Sequence, residues 1–236
     1  MVAYLQQTLG LSLNQSTISR ALKKSDITRK KLVYHYREQE QEKAQEFIKM
    51  TQPLLTQVPF LALDECSFYL RGENPRFGYS PKGTRAQAVR SVKQRILYSL
   101  ILCIENVSQR GVVHQQLVPG KTDAKKLQEF LASNQLTFTE KHYLIWDNAP
   151  IHHAVHVLKK AGGPTIAEQL VQQNIVPWFI TPYSPKLNPV ELCFNFIKQR
   201  VRKAQPETWS ELELPVNKVI DLLNKMDLTK FFQHCY

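Results

Sequence analysis

The stretch YLIWDNAPIHH, residues 143–153, carries four apolar or aromatic residues directly into Asp147, Asn148, a proline and two histidines. Apolar residues at every position, rather than at every second one, predict a strand covered on both faces, as in the middle of a sheet flanked by helices. Strands often finish in Gly, Asn or Ser because the turn needs them, so one acid at such an end has a plain structural reading. The pattern recurs, however. VPFLALDECSF, residues 58–68, is a second apolar run, and it ends on the acid pair Asp64 and Glu65. Two such strands side by side would bring Asp64 and Asp147 together.

Working outward, ILYSLILCI (96–104) and GVVHQQLV (111–118) read as strands joined by a turn. Thr122 or Asp123 caps the helix AKKLQEFLA, the strand at 143 follows, and a longer helical region leads to the strand IVPWFI at 175–180. Several strands first, then helix and strand in alternation, define an α/β sheet with mixed pairing.

A third acid lies in TPYSPKLNPVELCFNFIKQRVRK, residues 181–203. There Asn188 can cap a helix, Pro189 fits its first position and Glu191 its third; Asn-x-x-Glu resembles a capping box, which would explain Glu191 by helix stability alone. Val190, Phe194, Ile197 and Val201 form an apolar stripe, so this helix must pack on the sheet and its start is held rigidly. A metal ligand needs the same rigidity. Two carboxylates on adjacent strands plus one at a helix start can hold two hard divalent cations, which prefer oxygen ligands. Ions roughly 3.5–4 Å apart would activate a water or a 3′-hydroxyl and stabilise the leaving oxygen of an in-line phosphoryl displacement.

Composition sets the context. With 236 residues, 43% of them hydrophobic, the chain can hold one large domain and a small appendage. A net charge of +11 points to a polyanionic partner. The four cysteines are scattered without a CxxC pair, and neither a signal peptide nor a long apolar span is present. The expectation is a soluble protein of a reducing compartment, not secreted and with no membrane partner: cytoplasmic or nucleoid-associated in a bacterium, nuclear in a eukaryote. Without GxxxxGK[ST] no nucleotide cofactor is implied, and without HExxH or GxSxG neither a zinc protease nor a serine hydrolase follows, although His152 and His156 are one turn apart.

The basic charge is concentrated. Residues 20–37 hold Arg20, Lys23, Lys24, Arg29, Lys30, Lys31 and Arg37 against Asp26 alone. MVAYLQQTLG gives a short helix closed by Gly10, and Asn14 caps a second helix, QSTISRALKK. Ile18 and Leu22 face inward, leaving Gln15, Ser16, Thr17, Ser19, Arg20 and Lys23 outward, the form of a helix-turn-helix that offers small polar and basic side chains to a major groove. REQEQEKAQEFIKM then reads as a charged linking helix. A second basic segment follows the first acid strand: Arg71, Arg76, Lys82, Arg85, Arg90, Lys93 and Arg95 face only Glu73, with Phe77 and Tyr79 interleaved. Such a balance favours contact with phosphates or a clamp on a partner over a solvated loop.

LDE at 63–65, WDNAPIH at 146–152 and PYSPKLNPVE at 182–191 together resemble the catalytic signatures of mariner-superfamily DDE transposases, particularly the IS six-thirty and Tc-one-like groups. The helix-turn-helix followed by TRKK is similar to the segment that precedes the catalytic domain in that family. The resemblance runs from about residue 10 to 203 and rests on three ordered motifs. It implies an RNase H-like core that cuts element ends and joins them to new DNA with Mg²⁺ or Mn²⁺, two ions per site. Asp64, Asp147 and Glu191 match the metal-binding triad; Glu65, Asn148, His152 and Asn188 match neighbouring motif positions. The implied partners are double-stranded DNA, as element ends and target, and a second copy of the chain. DNA contacts fall to Gln15, Ser16, Thr17, Ser19, Arg20, Lys23, Arg29, Lys30, Lys31, Arg76, Lys82, Arg85 and Arg90.

The expected organisation is a helix-turn-helix at 1–35, a linker helix at 36–56, an RNase H-like catalytic domain at 57–205 and a C-terminal helical segment at 206–236. Two features depart from the family. Glu191 follows Asp147 by 44 positions, more than is usual there, with the excess in KKAGGPTIAEQL, and one helix-turn-helix precedes the core where two are common. The alternatives to a transposase are a non-catalytic DNA-binding protein of transposase descent and an RNase H-like nuclease that cuts without joining.

Overall fold

Strands that are apolar on both faces need a layer of helix on each side, and this requirement organises the larger part of the molecule. The computed structural model describes residues 5, 7, 8, 10, 12–27, 41–70, 80, 81, 83–85, 87, 96–107, 111–153 and 164–236. Two compact units form, Met1–Arg37 and Glu38–Tyr236. Of the expected DNA contacts, Arg29, Lys30, Lys31, Arg76, Lys82 and Arg90 lie outside the described residues, as does His156.

In the first unit Leu5, Gln7 and Thr8 are helical, and Gly10 takes the left-handed φ of 67° that a chain reversal requires. Helix α1, Gln15–Lys24, begins where Asn14 Oδ1 accepts the Ser16 N–H at 3.1 Å. Its inward side carries Ile18, which is buried, and Leu22, half-buried; Gln15, Ser16, Thr17, Ser19, Arg20 and Lys23 are all exposed.

The second unit runs α2 (Gln41–Thr51), β1 (Phe60–Leu70), β2 (Ile96–Glu105), β3 (Val112–Pro119), α3 (Ala124–Leu131), β4 (His142–Trp146), α4 (Ile166–Gln172), β5 (Ile175–Phe179), α5 (Val190–Ala204), α6 (Trp209–Leu223) and α7 (Thr229–Cys235). The five strands stand in the order β3-β2-β1-β4-β5. β1 pairs antiparallel with β2 and parallel with β4, so the sheet is mixed, as expected. Alternate residues of each central strand enter opposite cores. Leu61, Leu63, Ile101 and Cys103 face α3 and α4, while Phe60, Ala62, Leu100, Leu102 and Ile104 face α5, α6 and α7. Phe60, Leu61, Leu63 and Ile101 are fully buried, and each such side chain stabilises the fold by about 1.5–3 kcal/mol. Asp123, not Thr122, caps α3: its Oδ1 accepts the Lys126 N–H at 2.9 Å.

Two sequence expectations change. First, β1 does not end at its acids but continues to Leu70, with Cys66, Phe68 and Leu70 buried and Ser67 and Tyr69 exposed. β4 covers the edge of β1 only from Phe60 to Ala62, whereas β2 stays paired as far as Leu70↔Ile96. Asp64 and Glu65 are therefore mid-strand residues placed just beyond the end of β4, where one edge of β1 is open. Second, the charged helix α2 packs on the core rather than only linking. Phe47 is buried against Trp178 and Tyr236, with ring centroids 6.3 and 6.0 Å away, and Trp178 Nε1 donates to Thr51 Oγ1 at 2.9 Å. The C-terminal helices join the same core through Leu212, Val216, Val219 and Phe232.

Candidate active site

Parallel pairing of β1 with β4 sets Phe60 opposite Tyr143, Leu61 opposite Leu144 and Ala62 opposite Ile145. Carrying that register two residues further brings Asp64 level with Asp147, which follows the last residue of β4. A 3-10 turn, Pro150–His153, folds back beneath it. This turn delivers His152 to the sheet, where the ring is buried and stacks on Trp146 at 4.0 Å and 27°. His152 Nδ1 lies 2.8 Å from Asp147 Oδ1, and Nε2 lies 3.4 Å from Glu65 Oε1. One imidazole thus bridges the acid of β4 and the second acid of β1. Asp147 Oδ1 also accepts the Ala149 N–H at 3.0 Å.

Two asparagines fix the neighbouring chain ends. The Asn148 amide donates to the Ile180 carbonyl at 2.7 Å, tying the exit of β4 to that of β5. Asn188 is almost wholly buried, and its amide donates to the Leu63 carbonyl and to Asp64 Oδ2, each at 3.2 Å. The expected capping box is absent. Pro189 takes the N-cap position with helical dihedrals (φ −58°, ψ −28°) and makes no side-chain cap bond. Asn188 still serves the helix start, its Oδ1 accepting the Val190 N–H at 3.4 Å, while its NH₂ group donates to β1. Glu191, on the first turn of α5, is half-buried, and its N–H donates to the Asn188 carbonyl.

The charges respond to this crowding. Burial, then the adjacent negative charge of Glu65, pushes the Asp64 carboxyl up to about 8; the Glu65 N–H opposes this, and Asp147 and Glu191 add to it. Asp147 and Glu191 therefore both act on the Asp64 carboxyl. Burial alone would raise Asp147 too, but the hydrogen bonds from His152 and the Ala149 N–H outweigh it and hold Asp147 below its ordinary value. For His152, burial works against the charged form, yet Asp147 and Glu65 overcome it and lift the imidazole to about 9. At neutral pH an imidazolium sits between the two carboxylates. Both its nitrogens face oxygen acceptors, which removes it as a zinc ligand; His153 is exposed and packs on Phe179 instead.

Among the described residues, no three His, Cys, Asp or Glu side chains are closed on a common point as a ready set of metal ligands. Nor is any helix of those residues long and apolar enough to cross a membrane. Arg85, the described residue of the second basic segment's contact set, is exposed. Three relationships had no signal in the sequence: the His152 bridge to Glu65, the Asn188 bond to Asp64, and the stack of His152 on Trp146. Their partners are separated by 87, 124 and six positions, and although all of them lie in the three motifs, the motifs do not say which side chains meet.

Asp64 on β1 and Asp147 just after β4 stand at matched positions, with Glu191 on the first turn of α5. Residues 59–213 match the DDE superfamily endonuclease family, a span that holds all three acids. The chain belongs to that family. No curated protein matches at the level of sequence. Among solved structures, the chain is similar to the Mos1 mariner paired-end complex with Mn, at a TM-score of 0.64 and 16% identity over 98% of this chain and 69% of that one. It is also similar to a pre-cleavage Mos1 transpososome (0.62, 15%, 100% and 70%) and to the Mos1 strand transfer complex (0.61, 16%, 98% and 68%). The fold of the second unit is the mixed, helix-flanked RNase H-like sheet of that transposase.

Proposed function

We propose that the chain is a mariner-superfamily DNA transposase, which cleaves the ends of a mobile element and joins them to target DNA by metal-dependent phosphoryl transfer. The observation that supports this reading is the register that sets Asp64 level with Asp147, with Glu191 on the first turn of α5; burial, then Glu65, pushes the Asp64 carboxyl up to about 8, and Asp147 and Glu191 add to it. A buried carboxyl beside other acids is costly to ionise unless a cation joins them. The available donors are carboxylate oxygens, which suit Mg²⁺ or Mn²⁺. Asp64, Asp147 and Glu191 would hold the metal, as one ion or a pair, and when bound it supplies positive charge that lowers the cost of forming the attacking and leaving oxyanions.

The chain's own groups orient these ligands. Asn188 fixes the rotation of the Asp64 carboxylate, leaving Oδ1 to the Glu65 N–H. His152, as imidazolium, fixes Asp147 and Glu65 together and offsets part of their charge. Asn148 keeps the β4 and β5 exits from separating. Double-stranded DNA is the substrate that a +11 chain attracts. Gln15, Ser16, Thr17, Ser19, Arg20 and Lys23 on α1 read the element end, while Arg29, Lys30, Lys31, Arg76, Lys82, Arg85 and Arg90 hold phosphates. A homodimer acting on paired ends, in the bacterial cytoplasm or a eukaryotic nucleus, completes the proposal.

The test is strand cleavage and joining of a labelled duplex that carries the terminal repeat bracketing the gene, with Mg²⁺ or Mn²⁺. Asp147→Asn keeps size and hydrogen-bonding capacity but removes charge, so cleavage should fall by roughly two or more orders of magnitude with melting temperature and DNA affinity retained. Asp123→Asn, a substitution at the α3 cap where Asn serves equally well, should leave all three unchanged. Full activity in Asp147→Asn would overturn the mechanism. DNA binding without cleavage in the unaltered chain would instead favour a non-catalytic relative, and cleavage without joining a nuclease.

A further inference from the structure

The hydroxyl of Tyr236 donates to the Leu187 carbonyl, 49 positions away in sequence, in the interior of the second unit. Leu187 ends a 3-10 turn, Pro185–Leu187, and is followed directly by Asn188. The peptide unit between Leu187 and Asn188 is therefore held at both ends. Its oxygen accepts from Tyr236, and its N–H donates to the Pro185 carbonyl at 3.0 Å. From that peptide Asn188 reaches Asp64, and its own carbonyl takes the Glu191 N–H at 3.1 Å.

We propose that Tyr236 is a positioning residue for the carboxylate site: through Leu187 it fixes the peptide from which Asn188 orients Asp64 and α5 presents Glu191. This rests on the reading of Asp64 and Glu191 as the working carboxylates. Nothing in TKFFQHCY marks its tyrosine for such a role, and the ring alone could serve as core filler, since it is 9% exposed and packs on Phe47. The hydroxyl is what a filler does not need. Phenylalanine would occupy the same space, whereas a buried phenol must find a partner, and this one finds the carbonyl that leads into the site. Burial also pushes the phenol pKa up, so the group stays a proton donor throughout any working pH range. Helix α7 supplies the rigidity: the Tyr236 N–H donates to the Phe232 carbonyl at 3.2 Å, and Phe232 is buried in the same core.

The experiment compares the full chain with Tyr236→Phe, which keeps the ring and deletes the hydroxyl, and with Gln233→Ala, an exposed change on the same helix. Amide hydrogen exchange is read at Asn188 and Glu191 and, as a reference, along β2. Mn²⁺ titrations follow the melting temperature, and cleavage of an end duplex is measured as kcat and KM. In Tyr236→Phe, exchange at Asn188 and Glu191 should quicken roughly tenfold, the factor that one buried hydrogen bond of ordinary strength controls. Exchange in β2 should stay as it was. The Mn²⁺ concentration for half-maximal thermal shift should rise by a similar factor, kcat should fall and KM for DNA should hold. Unchanged exchange at the two amides overturns the assignment, and so does a uniform rise that includes β2, which would make Tyr236 a general core residue. Faster exchange confined to the two amides, in a chain that neither responds to Mn²⁺ nor cleaves DNA, would uphold the positioning role and sink the transposase reading.

Discussion

The amide of Asn188 donates to Oδ2 of Asp64 over 3.2 Å, joining residues 124 positions apart. An amide, not a lysine or arginine, thus supports the most crowded carboxyl of the site. Asn188→Ala should destabilise the fold by about 1–3 kcal/mol, because Leu63 and Asp64 would each be deprived of a buried donor. Asn188→Asp should be worse for cleavage than Asn188→Ala, since it adds a fourth negative charge against Asp64. Denaturant unfolding and cleavage rates of the two variants check both statements; equal rates would mean that charge at this position is immaterial.

His152 joins Asp147 to Glu65. His152→Ala should lower cleavage strongly and stability by about 2–4 kcal/mol, the combined effect of removing a buried ring from Trp146 and leaving two carboxylates facing each other. His152→Asn retains a donor toward Asp147 alone and should recover part of the stability. Thermal unfolding that is the same in both variants would show that the bridge contributes no more than ring packing.

The two basic surfaces should separate in binding experiments. Arg20→Ala and Lys23→Ala, on the exposed side of α1, should weaken binding to the element end more than to random duplex. Arg85→Ala should weaken both equally and make the slope of log affinity against log salt shallower by about one for each phosphate that the side chain no longer neutralises. Equal weakening on specific and random DNA for the α1 variants would remove that helix from sequence reading.

His114 predicts a pH effect distant from the acids. Its ring stacks on Phe130 at 4.5 Å and Nδ1 faces Gln135 Oε1; burial lowers its pKa, which the Gln135 bond only partly opposes. A histidine depressed in the folded state binds fewer protons there than when unfolded. Its stabilising contribution is therefore complete above pH 6.5 and is lost as pH falls through the lower folded value. His114→Phe, which keeps the stack, should show a smaller drop in melting temperature between about pH 7 and pH 5 than the unaltered chain. Parallel curves would assign the acid sensitivity elsewhere.

Continuous apolarity at 58–63 and 143–146 was enough to place two strands side by side, to cover both their faces and to align Asp64 with Asp147. It misjudged where β1 stops. The continuation CSFYL alternates buried and exposed residues because only its face toward the α5–α7 core is covered, and a change of period looks like an ending when partners are unknown. Asn188 carried a true helix-start signal, yet its NH₂ group is committed to β1, a choice that depends on Leu63 and Asp64 being within reach. His152 stood inside a motif without any sign that it would bridge two strands. Tyr236 was invisible for the same reason: its function lies in one long-range hydrogen bond, which leaves no periodicity.

The docking of α2 bears on how such proteins can be recombined. Phe47 shields the Trp178 ring and Thr51 satisfies its indole N–H, so a catalytic body severed at residue 57 would expose an aromatic surface and orphan a donor. Lineages, or engineers, exchanging the first unit for another would need their splice upstream of Gln41, leaving that helix to be inherited with the sheet rather than with the segment before it.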